Sequence, residues 1–266
     1  MESIIKDVEY KDCYIAFIDI LGFKDLVCNR LNCGEIKSIF EFLDNNELEN
    51  PVIFKDEDLN IPLEKVKKYI MSDSIILYIE KNVKNSLSAI MMQAQFIQYR
   101  LILNKDPIIV SGALTSGKMY RNKSYIFGPG IVEAYTIQNK EPHYPRIVID
   151  SELIEAYLSD ESSYEKKTIK SLVLKEKRDF TTNNDNNSDV YIIDYLKRIS
   201  FHRIAGPIND MIEKLRERES SVKEKNEATV IEERKSSVID ILKTIMALLN
   251  TYILILYEIE NYPSIC

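Results

Sequence analysis

Residues 14–23 read YIAFIDILGF, an apolar run rich in β-branched and aromatic residues that ends at Gly22. Such a run predicts a buried β-strand over residues 14–20, and the glycine lets the chain turn into a helix over residues 23–31. Asp19 lies inside the apolar run, near its end. A buried carboxylate is costly unless it is paired or binds a cation, so Asp19 is the first candidate functional residue.

A second acidic residue lies in a turn of sequence SDS between strands predicted over residues 66–71 and 75–80. Turns favour aspartate for structural reasons, so Asp73 alone is weak evidence. Its value lies in the pairing with Asp19. If the two strands are central and adjacent, both carboxylates reach one end of the sheet, where they suit Mg²⁺ or Mn²⁺ together with a triphosphate.

The remaining periodicity predicts an α+β fold with an antiparallel-rich sheet and helices packed on it. Helices are expected over residues 36–43, 83–104 and 130–138, strands over 108–116, 146–150, 172–175 and 190–195, and a hairpin over 117–127. The succession of strand, helices, strand–strand, helix and strand is ferredoxin-like.

The C-terminal part has a different pattern. Residues 213–235 are very highly charged, and residues 238–259 are apolar on a wide face. We expect a main domain over residues 1–200 and a C-terminal helical hairpin over residues 201–266.

Composition narrows the class of protein. The net charge of −7 argues against direct nucleic-acid binding. Two histidines and four cysteines without a C-x-x-C pair argue against a zinc site and against a disulfide framework. The most apolar run, residues 244–257, is shorter than a membrane span. We expect a cytoplasmic protein that does not enter the membrane.

Residues 111–138 contain four of the seven glycines and three basic residues, Lys118, Arg121 and Lys123. Glycines concentrate where the backbone approaches something closely or adopts positive φ. The basic side chains of this hairpin could reach phosphate oxygens, or they could be ordinary solvated residues.

Three motifs together resemble the class III adenylate and guanylate cyclases. FIDILGF (residues 17–23) resembles the F-x-D-I-x-G-F signature, and IMSDSI (residues 70–75) resembles the second metal-binding turn. ALTSGKMY followed by IFGPGIVEAY (residues 113–120 and 126–135) is similar to the strand, glycine and helix of the third motif. The resemblance covers roughly residues 14–150.

The resemblance implies a class III cyclase core over residues 1–200 that binds two Mg²⁺ or Mn²⁺ ions and works as a homodimer, with the site built from two chains. The residues that it implicates are Asp19, Ile20 and Asp73 for metal, Leu21, Gly22, Phe23 and Lys118 for phosphates, Tyr69, Tyr125 and Glu133 for the nucleotide, and Arg121 as a candidate for the transition-state arginine.

Within that superfamily the SDSI, FGPG-x-x-EAY and HYPRI segments resemble the pyrimidine cyclases of the bacterial Pycsar antiphage system. This implies conversion of UTP or CTP into a cyclic mononucleotide that activates a separate effector. Tyr69 and Tyr125 stand where purine cyclases have a base-reading lysine and aspartate. Two aromatic rings crowd a purine and suit a smaller base, with UTP slightly favoured over CTP.

Two alternatives remain open at this point. The predicted helix after Gly128 carries Glu133, Tyr135 and Gln138 rather than the usual asparagine and arginine. That departure favours a degenerate cyclase-like domain that senses nucleotides or dimerises without turnover. The other alternative is a two-metal polymerase on a similar fold, which the SDS turn disfavours because those enzymes usually carry a GG-D/E-x-F or GGDD turn.

Overall fold

The computed structural model of the chain describes residues 9–44, 60–102, 104, 108–140, 145–159, 165–176 and 190–195. The strands in this part are β1 Lys11–Ile20, β2 Lys67–Met71, β3 Ser74–Glu80, β4 Val110–Arg121, β5 Ile126–Phe127, β6 Ile147–Ile149, β7 Val173–Glu176 and β8 Val190–Ile193. The helices are α1 Phe23–Asp25, which continues as a π-helical turn Leu26–Arg30, then α2 Cys33–Asp44, α3 Ser86–Ile102, α4 Pro129–Lys140, α5 Ser151–Ser159 and α6 Lys166–Leu172.

All described strands belong to one sheet of order β2-β3-β1-β4-β6-β8-β7, with β5 paired to β4. β1 is central and pairs antiparallel with both β3 and β4. The order β2-β3-β1-β4, antiparallel throughout, is the ferredoxin-like arrangement expected from the succession of elements. The predicted α+β fold is confirmed. The β4–β6 pair is parallel and extends this sheet on one side.

The sheet has two unequally covered faces. One face packs against α2, α3, α5 and α6 and forms the main core, to which β1 contributes Tyr14, Ala16 and Ile18. The other face, here called the α4 face, is covered by α4 and includes Cys13, Ile15 and Phe17. Because side chains alternate along a strand, Asp19 follows Phe17 onto the α4 face.

Two glycines let α4 lie close against the sheet. A Cβ atom on Gly117 of β4 would lie 2.6 Å from the Gly130 Cα, and one on Gly130 would lie 2.5 Å from the Ile15 Cδ1. Neither position can hold a larger side chain without moving the helix or its neighbours. The glycine-rich stretch therefore serves helix–sheet packing at these two positions.

Most element predictions are confirmed, and the differences have local causes. The helix predicted over residues 23–31 is present, but its second half is π-helical, with the Leu31 N–H donating to the Leu26 carbonyl. The strand predicted over residues 108–116 extends to Arg121, since the following residues continue the β1 ladder. α6 was not predicted. The predicted C-terminal helical hairpin, and the boundary at residue 200, lie outside the described residues.

In the described part of the chain, no helix combines the length and the hydropathy needed to cross a membrane. The apolar run at residues 244–257 lies outside that part.

Candidate active site

Two carboxylates meet at one end of the sheet. Asp19, near the end of β1, is opposite Ser74 of β3 and opposite Ser111 of β4. Asp73 occupies the β2–β3 turn, and its carbonyl accepts a hydrogen bond of 2.9 Å from the Ile20 N–H. The main chain therefore ties the two acidic segments together, independently of their side chains.

The pKa of Asp19 responds to the negative charge of Asp73. The pKa of Asp19 is raised from 3.8 to about 6: burial is the largest cause, the negative charge of Asp73 also raises it, and a hydrogen bond from the Ser74 side chain opposes the rise. No cation of the described residues offsets the charge of Asp73 on Asp19. A bound cation would remove this unfavourable interaction.

The two carboxylates of Asp19 and Asp73 suit a hard divalent cation that keeps most of its water ligands. The described residues contain no cluster of three or more His, Cys, Asp or Glu side chains that could hold a metal. Mg²⁺ is commonly bound by one or two carboxylates together with substrate phosphates, and Asp19 and Asp73 supply such a pair. Ile20, only 2% exposed, can offer nothing but its carbonyl oxygen.

The turn that carries Asp73 has an uncommon backbone. Ser72 has φ of 56°, in the left-handed region that non-glycine residues seldom adopt. The preceding Met71 is 61% exposed. An exposed apolar residue therefore lies beside the two acidic positions.

The segment after β1 contains the three residues whose amides were predicted to face phosphates, and the amide of one of them is already used within the sheet. Gly22 has φ of 69° and leads into α1, where the first N–H groups have no intrahelical acceptor. The Leu21 N–H, however, donates to the Ile109 carbonyl at 2.8 Å. The prediction that Leu21 offers its amide to a phosphate is wrong, because that amide continues the sheet ladder. The predictions for Gly22 and Phe23 stay predictions.

Arg121 does not lie beside the carboxylates of its own chain. Its Nη1 donates to the Tyr78 hydroxyl at 2.6 Å, and its guanidinium lies 5.9 Å from the Tyr69 ring centroid. Ser111 faces Asp19, and Arg121 follows ten positions later in β4, with its side chain reaching across to β2 and β3. Lys118 and Lys123 do not converge with Arg121. Lys118 lies on the face of β4 opposite to Arg121, and Lys123 lies in the turn.

Tyr125 belongs to an exposed aromatic cluster at the β4–β5 hairpin. It stacks on Phe127 with ring centroids 6.0 Å apart, and Tyr120 and Tyr10 contact the same group. Tyr125 is 52% exposed, so it is not a core residue. Glu133 is exposed on α4, and its predicted contact with the nucleotide stays a prediction.

Three polar residues at this site were missed by the sequence analysis. Ser74 and Ser111 flank Asp19 across the sheet, and Gln138 of α4 hydrogen-bonds Ser111. A serine at a strand end carries no distinctive local signal. The strand pairing and the crossing of α4 over β4 bring them together.

No known protein-family model matches the sequence. No curated protein matches it either.

Among solved structures, the chain is similar to the adenylyl cyclase CyaB from P. aeruginosa, with 14% identity, a TM-score of 0.42, and coverage of 71% of this chain and 96% of that one. It is also similar to an adenylate/guanylate cyclase/hydrolase from Silicibacter pomeroyi, with 14% identity, a TM-score of 0.41, and coverage of 70% and 96%. A bacterial light-regulated adenylyl cyclase gives 12% identity, a TM-score of 0.40, and coverage of 76% and 99%. At these values the similarity concerns the fold and assigns neither a substrate nor a reaction to this chain.

Proposed function

We propose that this protein is a nucleotide cyclase that converts UTP or CTP into the 3′,5′-cyclic monophosphate and pyrophosphate. The observation that carries the proposal is the meeting of Asp19 and Asp73 at the end of the central strand, with no compensating cation in the described part of the chain. Two such carboxylates suit Mg²⁺ or Mn²⁺ bound jointly with a triphosphate.

The reaction needs no side-chain nucleophile. The ribose 3′-oxygen attacks the α-phosphorus in line, the bond to the pyrophosphate oxygen breaks, and the proton of the 3′-hydroxyl passes to solvent water. Two bound divalent cations would assist by lowering the pKa of that hydroxyl and by neutralising the leaving charge. Asp19 and Asp73 would hold and orient the metal–triphosphate group, and positioning of this kind dominates phosphoryl-transfer catalysis.

A complete site requires a second copy of the chain. The main chain of the hairpin that carries Arg121 and Tyr125 lies toward the opposite end of β1 from Asp19, and a nucleotide bound at the carboxylates of one chain would be contacted by the hairpin of the other. In a two-fold dimer each chain can present its carboxylates to the hairpin of the other. Exposed apolar residues on α4 and the hairpin, including Val132 at 64% and Tyr135 at 54%, provide the surface that such a dimer would bury.

The placement of Arg121 supports a nucleotide-binding role more than a role at the metal ions of its own chain. It lies against Tyr69, which the sequence places in the base pocket, and Tyr78 holds its guanidinium. Tyr69 is half-buried on the α4 face, and its ring offers a stacking surface with a polar tip. These groups are consistent with a pyrimidine substrate, with UTP favoured over CTP.

The cyclic product would act on a separate effector as a messenger in antiphage defence, a role that rests on the sequence resemblance to the pyrimidine cyclases. We infer that the enzyme works in the cytoplasm, where its triphosphate substrate is found.

One observation favours the alternative of a nucleotide sensor without turnover. Within a single chain, no basic side chain of the described residues contacts Asp19 or Asp73. If no second chain supplies one, the site can bind a metal–nucleotide complex but lacks a group to stabilise the transition-state charge.

Substitution of the carboxylates tests the proposal. Asp19→Asn and Asp73→Asn should each reduce pyrophosphate release from UTP or CTP by at least about 100-fold, because a neutral amide is a poor ligand for Mg²⁺. Asp12→Asn, at the exposed other end of β1, is the matched control and should retain activity. Near-normal turnover in either site variant would refute the assignment.

A further inference from the structure

α4 brings a buried amide to the carboxylate end of the sheet. The helix packs on β4 at Gly130 and ends beside Ser111, where the Gln138 Nε2 donates to the Ser111 Oγ at 3.3 Å. Gln138 is 7% exposed and Ser111 is 4% exposed. Ser111 is directly opposite Asp19, so a single side chain separates the amide from the carboxylate.

The hydrogen-bond pattern leaves the Ser111 proton available. A serine hydroxyl has one proton, and here its oxygen already accepts from Gln138. Residues directly opposite in an antiparallel pair have Cβ atoms about 5 Å apart, which places the Asp19 carboxylate within reach of that proton. On the other side, the Ser74 side chain already bonds Asp19. Asp19 therefore lies between two serines, one on each neighbouring strand.

Within the described part of the chain, the other end of the Gln138 amide has no partner. Its Oε1 is buried and forms no hydrogen bond with any group in the described residues. In this orientation of the amide, Nε2 bonds Ser111 and Oε1 is unsatisfied among the described residues. Burying such an atom without a hydrogen bond is unfavourable, so a bound group that supplies the missing donor would stabilise this arrangement.

We propose that Gln138 and Ser111 form a positioning pair for Asp19 and the divalent cation that it holds. Gln138 orients the Ser111 hydroxyl so that it donates to Asp19, and the free amide oxygen accepts a hydrogen bond from a water ligand of the cation. The inference deepens the proposed function and rests on its metal site. Partners of this kind fix metal ligands in the binding geometry, and their loss costs about 10–100-fold in metal affinity or activity.

Calorimetric titration of the full-length chain with Mn²⁺ tests the pair without requiring turnover. Gln138→Met keeps the length of the side chain and removes both polar atoms. Gln93→Met is the matched control, because Gln93 of α3 is 6% exposed and its Oε1 is likewise unpartnered among the described residues, but it lies on the main-core side of the sheet. We expect about tenfold weaker Mn²⁺ binding in Gln138→Met, and wild-type binding in Gln93→Met.

Ser111→Ala provides a second variant that answers the question even if Gln138→Met fails to fold. It should weaken Mn²⁺ binding to a similar extent, and the double variant should lose little more, because the two residues act as one unit. Wild-type Mn²⁺ affinity in Gln138→Met or Ser111→Ala, or an equal loss in Gln93→Met, would overturn the inference. If the variants bind Mn²⁺ more weakly but the wild type shows no turnover, the result supports the positioning pair and counts against the cyclase. If the wild type turns over nucleotide but the variants bind Mn²⁺ as tightly as it does, the result supports the cyclase and counts against the pair.

Discussion

The Ile20 N–H donates to the Asp73 carbonyl at 2.9 Å, which joins the end of the central strand to the turn that carries the second acid. Because this bond uses main-chain atoms only, substitution of either aspartate leaves the connection intact. Loss of activity in such variants can therefore be attributed to the carboxylates rather than to a displaced turn.

The raised pKa of Asp19 predicts how the stability of the metal-free protein depends on pH. Its folded-state pKa of about 6 lies above the ordinary value of 3.8, so the folded chain binds more protons than the unfolded chain between these values. The contribution of Asp19 to stability therefore falls as the pH rises from about 4 to 6, and it remains lost above that. Asp19→Asn should be more stable than the wild type at pH 7, by on the order of 1–2 kcal/mol because solvent screens part of the effect, and similar to it at pH 4.

Urea unfolding at pH 4 and pH 7 in the presence of a chelator measures this difference. Asp12→Asn, at the exposed start of β1, serves as the control and should follow the wild type at both pH values. Equal stability of Asp19→Asn and the wild type at pH 7 would show that Asp19 is not under electrostatic strain.

The close approach of α4 to β4 predicts a large effect for a small substitution. Gly117→Ala places a methyl group 2.6 Å from the Gly130 backbone, so the helix must move. We expect a loss of about 2 kcal/mol, or a melting temperature lowered by roughly 4–8 °C. Gly34→Ala is the control, because its nearest neighbour at 3.2 Å is the Asn32 side chain, which can shift. If the two variants have the same melting temperature, the contact between Gly117 and Gly130 does not fix the position of α4.

The strands and the acidic turn could be predicted because their signals are local. The apolar run that contains Asp19 predicts its own strand, and the SDS sequence around Asp73 predicts its own turn. Side-chain alternation then predicts which strand residues share a face of the sheet. The role of Arg121 could not be predicted this way. The strand expected to stop at residue 116 continues to Arg121, and the guanidinium contacts Tyr69 and Tyr78 of two other strands.

The contact between Gln138 and Ser111 was also beyond sequence reasoning. It depends on where α4 crosses β4, and that crossing is set by the Gly117–Gly130 approach between distant parts of the chain. The Leu21 amide is a similar case, because its acceptor is the Ile109 carbonyl on a strand that follows much later in the sequence.

Tyr69 is predicted to contribute a ring to the nucleotide pocket and to support Arg121. Tyr69→Ala removes the ring that lies 5.9 Å from the guanidinium, and turnover of UTP should fall about tenfold or more, with weaker discrimination against purines. Tyr69→Phe keeps the ring and should retain most of the activity if stacking matters more than the hydroxyl. Steady-state kinetics with all four nucleoside triphosphates measure both effects. Unchanged kinetics in Tyr69→Ala would exclude this tyrosine from the pocket.

The two-chain site predicts that inactive variants complement each other. Asp19→Asn and Arg121→Ala should each be inactive alone, whereas a mixed dimer contains one site with both residues intact. Mixing after mild dissociation should therefore restore part of the wild-type activity, and sedimentation should give about twice the chain mass of 30.9 kDa.

Two exposed valines provide a matched test of the surface that this dimer would use. Val132→Glu on α4, 64% exposed, should give a monomer, whereas Val27→Glu, 39% exposed after α1, should not. No recovery of activity on mixing, or an active monomer, would contradict the two-chain site.

Identification of the products formed from the four nucleoside triphosphates tests the central claim most directly. The full-length protein is incubated with ATP, GTP, CTP or UTP and Mn²⁺, and the products are identified by mass and by release of pyrophosphate. We predict a cyclic pyrimidine mononucleotide, formed faster from UTP than from CTP, and no product from the Asp19→Asn variant. Faster formation of cyclic AMP or cyclic GMP would contradict the pyrimidine assignment, and the absence of any cyclic product from the wild type would contradict the proposed reaction.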